Sequence, residues 1–448
     1  MESSMSDQYL KKLYLDITES YYQRFDDFLL KKWGEGSRRE CDREKAYKLF
    51  YEKVKDDHIA NRQTIRRWFG LGGTHSVPSR KYIFKIALAA NLCVEETSEY
   101  LQYGISQPDF QDNDYQEFII RYCLDHRLGL EKCRNMIHFY ETKSQYTGAW
   151  EQIPCTDWLR EQYALIQEYP PEEFLVWMHK HQKYFKGYSL TLLNCYQRMV
   201  EECQLLLRKD VREVLAGMLR QVGFYDWLSE TKHISLYDET DIQRFLKNRL
   251  RSRTAPMNRQ EAQEIRSLTA VVYSDHDRIC DLIAELYSTM PGWEKNNGKY
   301  PIYNALDKDV KKVDRKYVSE LMNIASLKEK QMILQMEIAR EKDERAKRNK
   351  EKALNKFKQR IHLIQRSDIL VLAQYIIYKK TMDELNVSDK LYNAETAKQE
   401  FCEYTNGILE MCGMRKIDET YMLDRVLLAC FGEEDMYLFI EVVEEMEE

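Results

Sequence analysis

Apolar residues recur along this chain at three- and four-residue steps and almost nowhere alternate, so helices are the only elements it can build in quantity. Leu10, Leu13, Tyr14, Ile17, Tyr21 and Phe25 set the pattern, and Phe118, Tyr122, Cys123, Cys133, Ile137 and Tyr140 continue it. Breakers are scarce: 16 Gly and 8 Pro in 448 residues. Charged residues make up 32% and hydrophobic ones 44%, which suits long helices with polar outer faces over packed cores. The expectation is an all-α, multidomain protein.

Turn-rich stretches divide the chain. Residues 1–40 read as a helical lead-in and 41–105 as a compact helical module. Residues 106–290 read as a helical body rich in Tyr, Trp and Leu, and 291–366 as a turn leading into a long basic helix. Residues 367–448 complete the chain as a small helical domain with an acidic tail. The eleven cysteines are dispersed and form no Cys-x-x-Cys, which reads as reduced, mostly buried thiols. With no secretion signal and no apolar run of membrane length, a cytoplasmic protein is expected, without membrane contact. No metal-binding or cofactor motif stands out, so none is expected.

Net charge is -6, so any nucleic-acid footprint must be local. One stretch qualifies. From Asn61 to Lys85 there is no acidic residue and there are six Lys/Arg, in a chain with 74 acids. Asn61 is a good helix N-cap. Ile65, Trp68 and Phe69 share one face and call for a core. Arg62, Gln63, Thr64, Arg66 and Arg67 occupy the rest of that helix. A short helix with a cationic start and an apolar underside has the shape a DNA major groove admits. Arg pairs with guanine edges and Gln with adenine edges. Arg67, together with Arg80, Lys81 and Lys85 beyond a Gly-rich turn, could hold phosphates.

Over roughly residues 58–101 the stretch resembles the Xre/Cro/phage-repressor helix-turn-helix. Thr64-Ile65-x-Arg67-Trp68 looks like that family's recognition helix, usually Thr-Ile-Ser-Arg-Trp. Pro78, Ile83, Ile86-Ala87, Ala89, Leu92 and Val94-Glu95-Glu96 look like the helix that follows it. The resemblance implies double-stranded DNA as partner, with Arg62, Gln63 and Arg66 at base-reading positions. A single such helix binds weakly, so a homodimer on paired half-sites is expected. The preceding helix, Glu44–Val54, lacks the family's Leu-Ala pair, and the Gly70–Ser76 turn is long. The expected function is a sequence-specific transcriptional regulator. Its helical body would oligomerise or sense a signal, with a peptide or protein as partner. The alternatives are a helical scaffold whose head binds protein or RNA, and a helical nuclease. Arg121 and His126 have the Arg-x4-His spacing of HEPN ribonucleases, a spacing that chance also supplies in a chain with nine His.

Leu327–Arg366 reads as one long helix, with eleven Lys/Arg and four Asp/Glu between Arg340 and Arg366. Its i, i+4 pairs would be Glu341–Arg345 and Lys347–Glu351. A coiled-coil role lacks an apolar seam across the middle. A solvated connector or a second nucleic-acid contact is expected. The last 17 residues carry eight acids and no Lys/Arg, a solubilising helix end.

Overall fold

A computed structural model describes residues 25–32, 43–71, 76–105, 107–144, 156–232, 236–252, 257–273, 276–286, 313–358, 361–387, 391–419, 422–439 and 441–442. Most of the lead-in, the 291–301 turn, the tip of the Gly-rich turn and the end of the acidic tail lie outside the described residues. The fold is all-α. Among the described residues, β pairing is confined to one bridge between Phe431 and Met436.

Among the described residues, nine α-helices make the N-terminal half: α1 (Phe25–Lys32), α2 (Arg43–Val54), α3 (Arg62–Trp68), α4 (Arg80–Ala90), α5 (Val94–Glu99), α6 (Tyr115–Asp125), α7 (Gly129–Lys143), α8 (Thr156–Ile166) and α9 (Pro171–Lys180). Local chemistry sets their ends. Asp114 starts α6 by accepting from Gln116 N at 2.9 Å and Glu117 N at 3.3 Å. Pro171 opens α9, where its missing N–H costs nothing. Asn91 closes α4 in the left-handed conformation, φ 52°.

These helices share one apolar core that runs from Phe25 to Phe185 without stopping at residue 105. The module expected at 41–105 is therefore continuous with the first part of the body. Aromatic rings carry much of that continuity. Phe118 of α6 stacks on Phe174 of α9 at 5.7 Å and meets Tyr163 of α8 edge-on at 5.2 Å.

The other helices among the described residues are α10 (Leu190–Gln221), α11 (Phe224–Lys232), α12 (Glu239–Arg251), α13 (Arg259–Tyr273), α14 (His276–Leu286), α15 (Arg315–Met322), α16 (Ile324–Arg340), α17 (Glu344–Lys358), α18 (Arg366–Val387), α19 (Ala394–Met411) and α20 (Met422–Ala429). At ~1.5 Å per residue, the 32-residue α10 is about 48 Å long. Its first half buries Leu193, Tyr196, Val200 and Cys203 in the C-terminal core. Its second half puts Leu215 and Leu219 into a smaller core with α11, α12 and α13. Helix α18 is buried all round from Ile369 to Ile377, as a central helix must be. Arg366 anchors its start, pairing with Asp424 of α20 through two contacts of 2.6 Å.

The expected single helix over Leu327–Arg366 is two helices. It breaks at 341–343, and α17 folds back against α16. Side chains at the break outcompete the helix. Glu341 Oε1 accepts from Lys342 N at 3.1 Å, and Asp343 Oδ1 caps the next helix by accepting from Arg345 N at 3.1 Å. Glu341 consequently pairs with Lys350 at 3.2 Å across the hairpin, in place of Arg345. Helix α16 packs on α7 and sends Met332 and Met336 into the N-terminal core. The start of the acidic tail also differs from a free end. Met436, Phe439 and Val442 are buried, and Gln374 of α18 donates to Tyr437 O at 2.7 Å. No helix among the described residues is long and apolar enough to cross a membrane. Cys123, Cys133, Cys203 and Cys430 are free and buried, Cys280 is buried, and Cys93 is exposed. Cys41 and Cys155 lie outside the described residues.

Candidate nucleic-acid interface

Helix α3 is short, and its placement depends on the residues around it. The Asn61 side chain accepts from Thr64 N at 2.8 Å, which starts the helix. Ile65, Trp68 and Phe69 are buried. Phe25 of α1 meets Phe69 edge-on at 5.5 Å and Trp68 at 6.0 Å, and Trp68 packs on Tyr82 of α4 at 5.2 Å. Gly70, with φ 66°, takes the chain out of the helix. Leu71 N and Ser76 N then return to the carbonyls of Arg66 and Arg67 at 2.9 and 3.1 Å, so the turn closes on the helix it leaves.

The opposite face is open. Arg62, Gln63 and Arg67 are exposed, while Thr64 and Arg66 are half-buried. Two of the arginines lean on α2. Arg62 Nε donates to the Tyr47 hydroxyl at 3.1 Å, and its guanidinium lies 5.9 Å from the centre of the Tyr51 ring. Arg66 sits 5.2 Å from the Tyr47 ring centre and pairs with Glu44 at 3.3 Å. Tyr47, Tyr51 and Glu44 thus set the directions of both arginines. Sequence reasoning missed them; their signal was the spacing of three and four residues along Glu44–Val54, the helix before the turn.

The residues beyond the turn divide. Arg80 is not a phosphate-facing residue. It is half-buried against the body, pairing with Glu117 at 2.8 and 2.7 Å and donating to Pro108 O at 2.5 Å and Asp109 O at 2.7 Å. Lys81 is exposed and Lys85 half-buried, with its ammonium 5.5 Å from the Tyr82 ring centre. Both line a cavity with Arg134 of α7 and Lys358 of α17. The structure therefore gathers Arg62, Gln63, Thr64, Arg66 and Arg67 on one short helix and puts Lys81 and Lys85 in a second basic cluster.

Arg121 and His126 are each engaged with other groups. Arg121 Nη1 donates to Asp112 at 2.7 Å and its guanidinium lies 4.3 Å from the Tyr163 ring centre. His126 Nδ1 faces Tyr122 O at 3.0 Å. His179 stacks on Tyr140 at 4.8 Å, and burial, with Lys143 adding to it, holds its pKa below the usual 6.5. His181 packs on Trp177 at 4.3 Å. Among the described residues no three His, Cys, Asp or Glu side chains group as a metal site would require.

Set against known protein families, curated proteins and solved structures, the chain matches none of them.

Proposed function

We propose that this chain is a sequence-specific DNA-binding protein, a transcriptional regulator whose head is presented by a large helical body. One observation carries the reading: α3 is fixed from below by buried Ile65, Trp68 and Phe69, while Arg62, Gln63 and Arg67 at its upper side stay exposed. A major groove admits such a helix, and these residue types pair with base edges and phosphates. Arg66 is within the same reach. Its pair with Glu44 is part-exposed, and pairs of that kind hold by only ~0–1 kcal/mol, so a base edge can replace the carboxylate. Arg80, engaged with Glu117, is left out of the interface, and Lys81 and Lys85 belong to the neighbouring cluster. A single short helix binds weakly, so a homodimer on two half-sites is part of the proposal.

The test is binding of the full chain to mixed-sequence duplex DNA across a salt series. Affinity should fall steeply with salt. The combined Arg62→Ala, Arg66→Ala and Arg67→Ala variant should lose most of it, with a slope shallower by about one unit per phosphate contact removed. Equal binding by this variant and the parent, with circular dichroism unchanged, would overturn the proposal.

A further inference from the structure

Beneath the head lies a cavity of about 380 Å³, walled by α4, α6, α7, α16 and α17. That volume falls in the range of small-molecule sites. Its floor is apolar: Leu88, Ile120, Leu130 and Cys133 are buried there, and Ile137 is half-buried. Its rim is cationic, with Lys81 and Lys85 from α4, Arg134 from α7 and Lys358 from α17.

Two acids, Glu117 and Asp114, and a further cation, Arg80, also line the cavity, and all three are already engaged. Glu117 holds Arg80, and Asp114 caps α6 and faces Lys328 at 3.6 Å. Among the described residues, none of the four rim cations has a carboxylate at ion-pair distance. Their crowding registers on two of them. Lys85 is lowered from its usual pKa by burial and then by Lys81 and Arg134. Lys358 is lowered by burial and by Lys81 and Lys328, against a smaller opposing pull from Glu141. One further group is unsatisfied: the side-chain oxygen of Gln331, buried in the wall contributed by α16, has no hydrogen-bond partner. An amide in that state seeks a polar ligand atom, which it can meet with either its oxygen or its nitrogen.

An apolar floor, an uncompensated cationic rim and an unpaired amide describe one ligand class. We propose that this cavity binds a small amphipathic acid, its anionic head at Lys81, Lys85, Arg134 and Lys358 and its apolar body on Leu88, Ile120 and Leu130. The site does not depend on the DNA reading. The walls come from helices far apart in sequence, so a bound acid would tie α4 to α7 and to the α16–α17 hairpin.

The test is calorimetric titration and thermal unfolding of the full chain with octanoate, octyl phosphate, octanol and octyltrimethylammonium. At least one anion should bind and raise the melting temperature in a concentration-dependent way. Octanoate alone would assign a carboxylate head, octyl phosphate alone a phosphoryl head, and both together a general anion site; each supports the proposal. The Lys85→Glu/Arg134→Glu variant should bind the anion roughly tenfold more weakly or worse. Ile137→Trp, which fills the cavity without altering charge, should also lose binding while far-ultraviolet circular dichroism stays native. Binding of neither anion, octanol binding as tightly as its acid, or undiminished anion binding by a folded charge-reversed variant would each overturn it. DNA affinity is read separately, so failure here leaves the α3 interface untouched.

Discussion

Arg80 and Glu117 face each other as a two-point ion pair between α4 and α6, at 2.8 and 2.7 Å, with each side chain only 11% exposed. Gln111 N also donates to Glu117 at 2.8 Å. Removing either partner strands the other charge in a poorly solvated place. Arg80→Ala and Glu117→Ala are each expected to cost ~3–5 kcal/mol, read by urea unfolding. An Arg80→Met/Glu117→Leu double variant should cost less than the two single changes summed. Strict additivity would mean that the two residues do not act as a pair.

Gln63 and Arg67 should fail in different ways. Arg67→Ala is expected to weaken binding to all duplexes alike and to reduce the salt slope by about one unit. Gln63→Ala should leave that slope unchanged and relax preference at one base pair, by ~1–3 kcal/mol. Fluorescence anisotropy on a selected duplex and its scrambled counterpart separates the two effects. The same response from both variants would contradict the division into base and phosphate contacts.

His179 gives the fold an acid-sensitive point. Burial and Lys143 hold its folded pKa below the 6.5 of the free side chain, and its Nε2 has no hydrogen-bond partner. A depressed folded pKa means that the unfolded chain takes up the proton first as pH drops. Its share of stability is therefore present above 6.5 and is lost as pH falls through the folded value. His179→Phe, which keeps the stacking on Tyr140, should flatten the fall in melting temperature below pH 6.5. An unchanged profile would remove His179 from the account.

Met332 and Met336 belong by sequence to the C-terminal half and by packing to the N-terminal core. Truncating either to Ala should cost ~2–5 kcal/mol through the cavity left behind. Hydrogen exchange should show the loss in α6 and α7 ahead of α18 and α19. Loosening of the C-terminal helices first would contradict the assignment of these side chains.

How far the sequence could be read depended on how local the information was. The all-helical class followed from spacing that each segment carries within itself. Asn61 as a cap and Ile65, Trp68 and Phe69 as an underside were likewise readable from one turn of helix. Arg80 misled because its partner, Glu117, lies 37 residues on, and a cation beside a turn looks the same whether it faces solvent or a distant carboxylate. The break at 341–343 was hidden by composition, since Glu and Asp serve equally as helix-face charges and as caps. The continuous core across residue 105 and the basic cluster of Lys85, Arg134 and Lys358 are products of tertiary packing alone.

A ribosome producing this chain completes α1 to α9 well before it reaches Met332. Until α16 emerges, the nascent N-terminal core keeps an unfilled apolar place where two methionine side chains belong. The order of synthesis thus builds in a waiting period during which exposed apolar surface needs shielding, so chaperone engagement should last until the hairpin has docked.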